Sequence, residues 1–180
     1  MPLSSAKSEH ASIWRASGEL TRGGPAALTD ELPKVAAGLG IAVVFVPHLK
    51  GTYVGGAAFW HVETPIIQLS FRGKRHDVLW FNFFHELGHI LLHSRNESFL
   101  DDFSADQDHH EVEANRFAAD TLIPQLAWEQ FCVSGNFTAA AVQRFGKAIG
   151  ISESIVVGRL KKEGFVPHAK LQKSHITVSC

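Results

Sequence analysis

The sequence predicts an α+β fold: a small, mostly antiparallel sheet packed on one buried helix, followed by a mainly helical C-terminal half. Three observations carry that expectation. Short apolar, strand-like runs are confined to the residues before 72. A long apolar segment, residues 77–93, has no Pro and no β-branched run, and its apolar positions wrap nearly all round, as in a buried central helix. Beyond it come only helix-period stretches punctuated by Gly and Pro.

The elements follow in order. Residues 1–28 are small, polar and mixed, and read as an arm or linker with Gly23-Gly24 as a hinge. Thr29-Asp30-Glu31 reads as a helix start with acids in its first turn. Pro33 is tolerable that early, Leu32, Val35, Ala36 and Leu39 recur at helical spacing, and Gly40 supplies the stop. Residues 41–46, ended by Pro47, carry a buried-strand signature. Residues 52–60 read as a second strand, loosened by Gly55-Gly56, where a bulge is the expected reason and close backbone approach the alternative. Residues 61–64 form a turn and 65–71 a third strand, which makes the last two strands a hairpin. After the helix at 77–93, the polar, acidic residues 96–108 read as a loop. Helices are expected at 111–122, 124–131, 138–149 and 152–163, with Gly150 and Gly164 ending the last two. The main domain is thus 29–166, its helical C-terminal part starting at about 135, with 167–180 as a tail.

Composition narrows the function classes. With 180 residues, 45% of them hydrophobic, the chain can bury a core and is not disordered. A net charge of −1 gives no global attraction for nucleic acid or an anionic membrane. Two basic clusters, residues 72–76 and 159–162, read as solvated surface. Residues 148–152 make a junction short enough for a helix-turn-helix, but the helix after it has few basic residues, so packing against the core is expected and direct nucleic-acid binding is not. The two cysteines form neither a CxxC pair nor a disulfide framework, which suits a reducing cytosol. The start has no apolar signal core, and no run approaches the roughly 18 apolar residues of a membrane span. The expectation is a soluble cytoplasmic protein with no membrane partner.

The chain has 11 histidines, and the informative ones lie in His85-Glu86-Leu87-Gly88-His89. Residues four apart on a helix are offset by about 40° and about 6 Å along the axis. His85 and His89 therefore point the same way and can share one ion, with Glu86 on the same rim as a base. Two neutral imidazoles and a carboxylate suit Zn2+ and leave one coordination position open. Burying these three side chains with no shared partner would cost several kcal/mol. A third histidine six residues after the second is excluded, because Arg95 stands there. His93 sits about 12 Å along the helix from His85, too far for the same ion, so it is expected to pack near the site or bond a backbone group. The third ligand is sought in the next helix, in Glu111 or Glu113. Asn115, four residues after Glu111, can orient a ligating histidine from the same face, which favours Glu111 and leaves Glu113 as the alternative. Tyr53, His61 and Arg72 are candidates for contacting the oxyanion or the substrate. A hairpin directly before the helix sets a strand edge near the ion, where an extended peptide can pair.

FFHELGHILLH, followed by EVEANRFAADTLIP, resembles the ImmA/IrrE-type zinc metallopeptidase family. PIIQLSFRGKRHDVLWFNFFHELGHILLH and GISESIVVGRLKKEGF look like the versions joined to helix-turn-helix antitoxins of the HigA type. The resemblance covers roughly residues 30–166. It implies a zincin-like fold, His85 and His89 as zinc ligands, Glu86 as the base, and Glu111, the first acid of E-x-x-A-N, as the third ligand. It further implies a cytoplasmic regulatory endopeptidase that cuts a protein such as a transcriptional repressor, in stress response or beside a toxin–antitoxin operon. The alternative it leaves is a non-catalytic, zinc-containing regulatory or antitoxin-associated module that binds a partner protein or ligand. Antitoxin-type relatives carry an N-terminal DNA-binding domain, which residues 1–28 are too few to form.

Overall fold

The computed structural model describes residues 18–47, 55–93, 105–171 and 176–178. Residues 18–22 are helical, the chain bends at Gly23, and helix α1 follows over residues 24–37. α1 joins Gly24–Ala26, a π-helical turn Ala27–Glu31 and Leu32–Ala37. Pro33 has no N–H to give the carbonyl four residues back, and the chain takes the wider π register just before it, with Leu32 N–H bonded to the Ala27 carbonyl. α1 therefore begins before Thr29, where the acids alone suggested a start. Leu28 and Leu32 anchor it in the core.

Strands β1 (Ala42–Val46), β2 (Gly56–His61) and β3 (Thr64–Ser70) form one sheet in the order β1-β3-β2. β2 and β3 make the expected antiparallel hairpin, in unbroken register from Gly56↔Leu69 to His61↔Thr64. β3 does not lie outside β2 as in a meander; it inserts between β2 and β1 and so pairs parallel with β1. The α+β class stands, and the sheet is mixed. Insertion gives the central place to the strand whose Ile67 and Leu69 are fully buried, and it leaves β2 at an edge.

A 3₁₀ turn, Arg72–Lys74, leads into α2 (His76–Leu92), which runs through the middle of the molecule against β2, β3 and two later helices. Leu79, Trp80, Phe83, Phe84 and Leu87 are its buried apolar residues. Helix α3 is Ala105–Leu122. It starts within the stretch expected to be a loop, because a run rich in acids is also a favourable helix start; the rest of that expected loop, residues 96–104, lies outside the described residues. α4 (Gln125–Val133), α5 (Ala139–Ile149) and α6 (Glu153–Lys162) complete the helical half. Thr138 caps α5 by accepting from Ala141 N–H, and Gly150, at φ 76°, ends it.

Both basic clusters are less solvated than expected. In the first, His76 is fully buried and Arg75 pairs with the buried Asp77. In the second, Leu160 and Lys161 are buried, and Arg159 donates to the Ala119 and Ile123 carbonyls while lying 4.6 Å over the Trp128 ring. The reason is shared: α6 packs against the first turns of α2, so both clusters face each other inside the fold. Ile155, Val156 and Val157 of α6 are likewise core, so this helix packs against the core as expected. The segment 176–178 closes the same corner: Ile176 accepts from His76 N–H, and Val178, fully buried, donates to the Lys74 carbonyl. Among the described residues, no helix is long and apolar enough to cross a membrane.

Candidate metal centre

His85 and His89 leave α2 one turn apart with their Nε2 atoms 3.0 Å from each other. From α3, Glu111 brings one carboxylate oxygen to 3.3 Å from His85 Nε2 and the other to 3.2 Å from His89 Nε2. Ligand atoms around a tetrahedral zinc bound at 2.0–2.1 Å stand roughly 3.3 Å apart. One ligand atom from each of the three residues lies within 4.8 Å of the others, close enough to share one ion. Among the described residues, they are the group of His, Cys, Asp or Glu side chains able to share one metal ion.

Two features let α3 come this close. Gly88 has no side chain; a Cβ there would meet Ala114 Cα at 3.2 Å and the Phe117 ring at 3.2 Å. Ala114, fully buried, is the small residue on the other side of the crossing. One turn before it, Glu111 emerges over the histidines.

Both rings are held from behind. His85 Nδ1 lies 3.2 Å from Asn115 Oδ1, and the Phe81 ring stacks on His85 with centroids 6.3 Å apart. His89 Nδ1 lies 3.0 Å from His93 Nδ1, and His93 Nε2 lies 3.3 Å from Glu113 Oε2. One proton arrangement satisfies the three contacts behind the rings and leaves the proton off both Nε2 atoms that face Glu111. His85 Nδ1–H donates to Asn115, His89 Nδ1–H to His93 Nδ1, and His93 Nε2–H to Glu113. Burial, then the neighbouring His85, His93 and His110, lowers the pKa of His89 to about 4, which keeps it in the neutral form that a metal requires. Glu113 therefore stands behind His93 rather than against His85, and His93 bonds a side chain rather than the backbone.

Glu86 is buried beside this cluster and faces β2. Burial first, and then the charge of Glu111, raises its pKa to about 7, while a hydrogen bond from the Ala58 backbone acts the other way. Gly56 makes room for it: a Cβ would stand 2.8 Å from Glu86 Oε1. At Gly55 a Cβ would meet Asn82 Nδ2. Close approach is therefore the reason for this glycine pair; the bulge expected there is absent from the β2–β3 register. A cleft of about 380 Å³ opens over these groups, lined by Gly55 to Ala58, Phe81, Asn82, Glu86 and the three clustered residues.

Among the other candidates, Tyr53 lies outside the described residues, as does the Arg72 side chain. His61 is exposed at the far end of β2 and is not part of the cleft lining. Sequence reasoning missed Phe81 and Asn82. The available signal was their position four and three residues before His85, on the same helix face.

Residues 36–160 match the model of the Peptidase_M78 family, described as the IrrE N-terminal-like domain. The chain belongs to this family. The match spans β1 to α6 and so contains every residue of the cleft. A search of curated proteins finds no match. Membership in Peptidase_M78 points to a metallopeptidase with a protein or peptide substrate, and the His85, His89 and Glu111 cluster is compatible with its metal ion.

Proposed function

We propose that this Peptidase_M78 chain is a zinc-dependent endopeptidase of regulatory type, cutting a specific protein such as a transcriptional repressor in the cytoplasm. The observation that carries the reading is the convergence of His85 Nε2, His89 Nε2 and the Glu111 carboxylate, with contacts of 3.0–3.3 Å, and a buried carboxylate, Glu86, beside them. A zinc ion held by these three residues would supply Lewis acidity, lowering the pKa of a water and polarising the scissile carbonyl.

The chain's own groups do the rest. Glu86 takes the proton of the attacking water and passes it to the leaving amine. The hydrogen bond from the Ala58 backbone fixes the direction of its carboxylate. Asn115 and the His93–Glu113 pair hold the two imidazoles in the tautomers that present Nε2. The edge of β2 beside the cleft gives an extended peptide backbone groups to pair with. The repressor is suggested by the resemblance to the ImmA/IrrE-type family, several members of which are regulators that cleave one.

A non-catalytic regulatory module would not need Glu86. Burying a carboxylate is costly, and a site that only stores zinc gains nothing from it. The test compares wild type with Glu86→Gln, each incubated with repressors encoded in the same gene cluster. Both proteins should carry about one zinc per chain, and only the wild type should cut. Cleavage by Glu86→Gln at the wild-type rate would refute the mechanism.

A further inference from the structure

A second cavity, about 640 Å³, opens between α2, α3 and α6 and meets the cleft at Phe81, Asn82 and Asn115, which line both. Its other end is basic. There the start of α2 supplies Arg75 and Asp77, α6 supplies Lys161 and Lys162, and His168 follows from the chain beyond α6. Asp77 stands about 7 Å along α2 from Asn82, so the basic end and the cleft end are distinct places.

The charges at the basic end do not balance. Asp77 is buried and pairs with Arg75. Gly158 lets α6 close over it, since a Cβ there would collide with the Asp77 carboxylate. Lys161 is buried too, at 5% exposed, although it lines an open cavity. Burial first, and then the charge of Arg75, lowers its pKa, while Asp77 acts the other way. Two cations thus draw on one acid where unbalanced charge is costly. The neighbouring acid gives no relief, because Glu163 is paired with Arg159 and accepts from Trp128 Nε1. Lys162, exposed on the same wall, adds to the positive surplus. Towards the cleft the walls turn apolar, with Val78, Leu122, Ile123 and Ile155. A bare inorganic anion would leave those walls uncovered, and a neutral apolar molecule would leave the surplus charge as it is.

We propose that this cavity is a regulatory site for a small amphipathic anion, with a carboxylate or phosphate head on Lys161 and Lys162 and an apolar body against Ile155 and Leu122. The volume is that of a ligand pocket rather than a packing gap. The head supplies the negative charge that the surrounding side chains lack. The body points to Phe81 and Asn115, the two residues that flank the His85 ring, and so narrows the mouth shared with the cleft. The regulatory consequence rests on the peptidase reading; the binding itself needs neither zinc nor Glu86.

The test is calorimetric titration of the full chain with probes that share one tail: decanoate, decyl phosphate, decanol and decylammonium. Acetate serves as a head without a body. At least one of the two long anions should bind tighter than decanol by about tenfold or more, decylammonium should bind more weakly than decanol, and acetate should show no heat. Lys161→Met should bring the anion down to the level of decanol and leave decanol unchanged. Lys162→Gln, at an exposed position, should give a smaller loss of the same kind, and it reads the head site even if Lys161→Met fails to fold. Equal binding of the long anions and decanol overturns the proposal, as does acetate matching decanoate or an anion preference untouched in the lysine variants. In the repressor assay above, the tighter anion should slow cleavage with the half-saturation seen by calorimetry. Binding with cleavage unaltered would remove the regulatory role. A chain that binds the anion yet cuts no repressor would sink the peptidase reading and leave the site standing.

Discussion

His76 is fully buried, accepts from Trp80 Nε1 at 3.0 Å and lies 3.0 Å from Ser154 Oγ. Both nitrogens are therefore committed in the neutral ring, and burial lowers its pKa to about 4 from the ordinary 6.5. Between those two values the unfolded chain binds a proton that the folded chain refuses. Stability from this group is complete above pH 6.5 and declines as the pH falls towards 4, by about 2 kcal/mol between pH 7 and 4.5. Urea titrations in chelator at those two pH values should show the loss in wild type and a smaller one in His76→Gln. At the cleft, Asn115→Ala and His93→Ala should each weaken zinc binding by about 10–100-fold, read by competition with a chromophoric chelator; unchanged affinity would mean that the rings need no support. Legibility at this scale depended on distance along the chain. His85, Glu86 and His89 were readable because one helical turn fixes their relation. Glu111 over Glu113 was readable through the four-residue step to Asn115. His76 was not: Ser154 reaches it from 78 residues further along the chain, and its basic neighbours suggested water.

Between elements, the decisive contact is the crossing of α2 and α3 at Gly88 and Ala114. Helix propensity alone favours any larger residue over Gly by up to about 1 kcal/mol. Here the gap is 3.2 Å before any side chain beyond Cβ is added. Gly88→Val should therefore lower stability by about 1–3 kcal/mol and also weaken zinc binding, because Glu111 moves away with α3. Calorimetry with and without zinc measures both; a stabilised variant would contradict the packing argument. At the other wall, Gly56→Ala should leave zinc content intact and abolish cleavage, since its Cβ would meet the Glu86 carboxylate. The helices, the hairpin and the glycine stops were legible from periodicity and punctuation. The insertion of β3 beside β1 was not, because strand order is decided by which strand most needs cover on both sides.

At the scale of the whole molecule, the apolar core and the candidate metal cluster are separate groups of residues. The buried apolar cluster runs from Leu28 through the sheet and α2 to Leu160 and Val178, and none of the three clustered residues belongs to it. Stripping zinc with a chelator should leave helical circular dichroism and cooperative unfolding in place. Restoring free zinc to a hundred times its Kd should add about 3 kcal/mol of stability. A chain that unfolds outright in chelator would show that the ion, not the core, organises the fold. The α+β class was readable because strands and helices segregate along the sequence. The second cavity was not, because its walls come from residues 75 to 168 and meet only when α6 docks.

The short stretch from Ile176 to Val178 looks dispensable in sequence and is not. It plugs the start of α2 with one buried valine and takes up the first amide of the helix. Trimming the chain at residue 175, as one might to remove a ragged end, would open that plug without touching any group in the cleft. The expected casualty is grip on zinc, as the loosened helix start is transmitted roughly two and a half to three and a half turns down the same rod to His85 and His89.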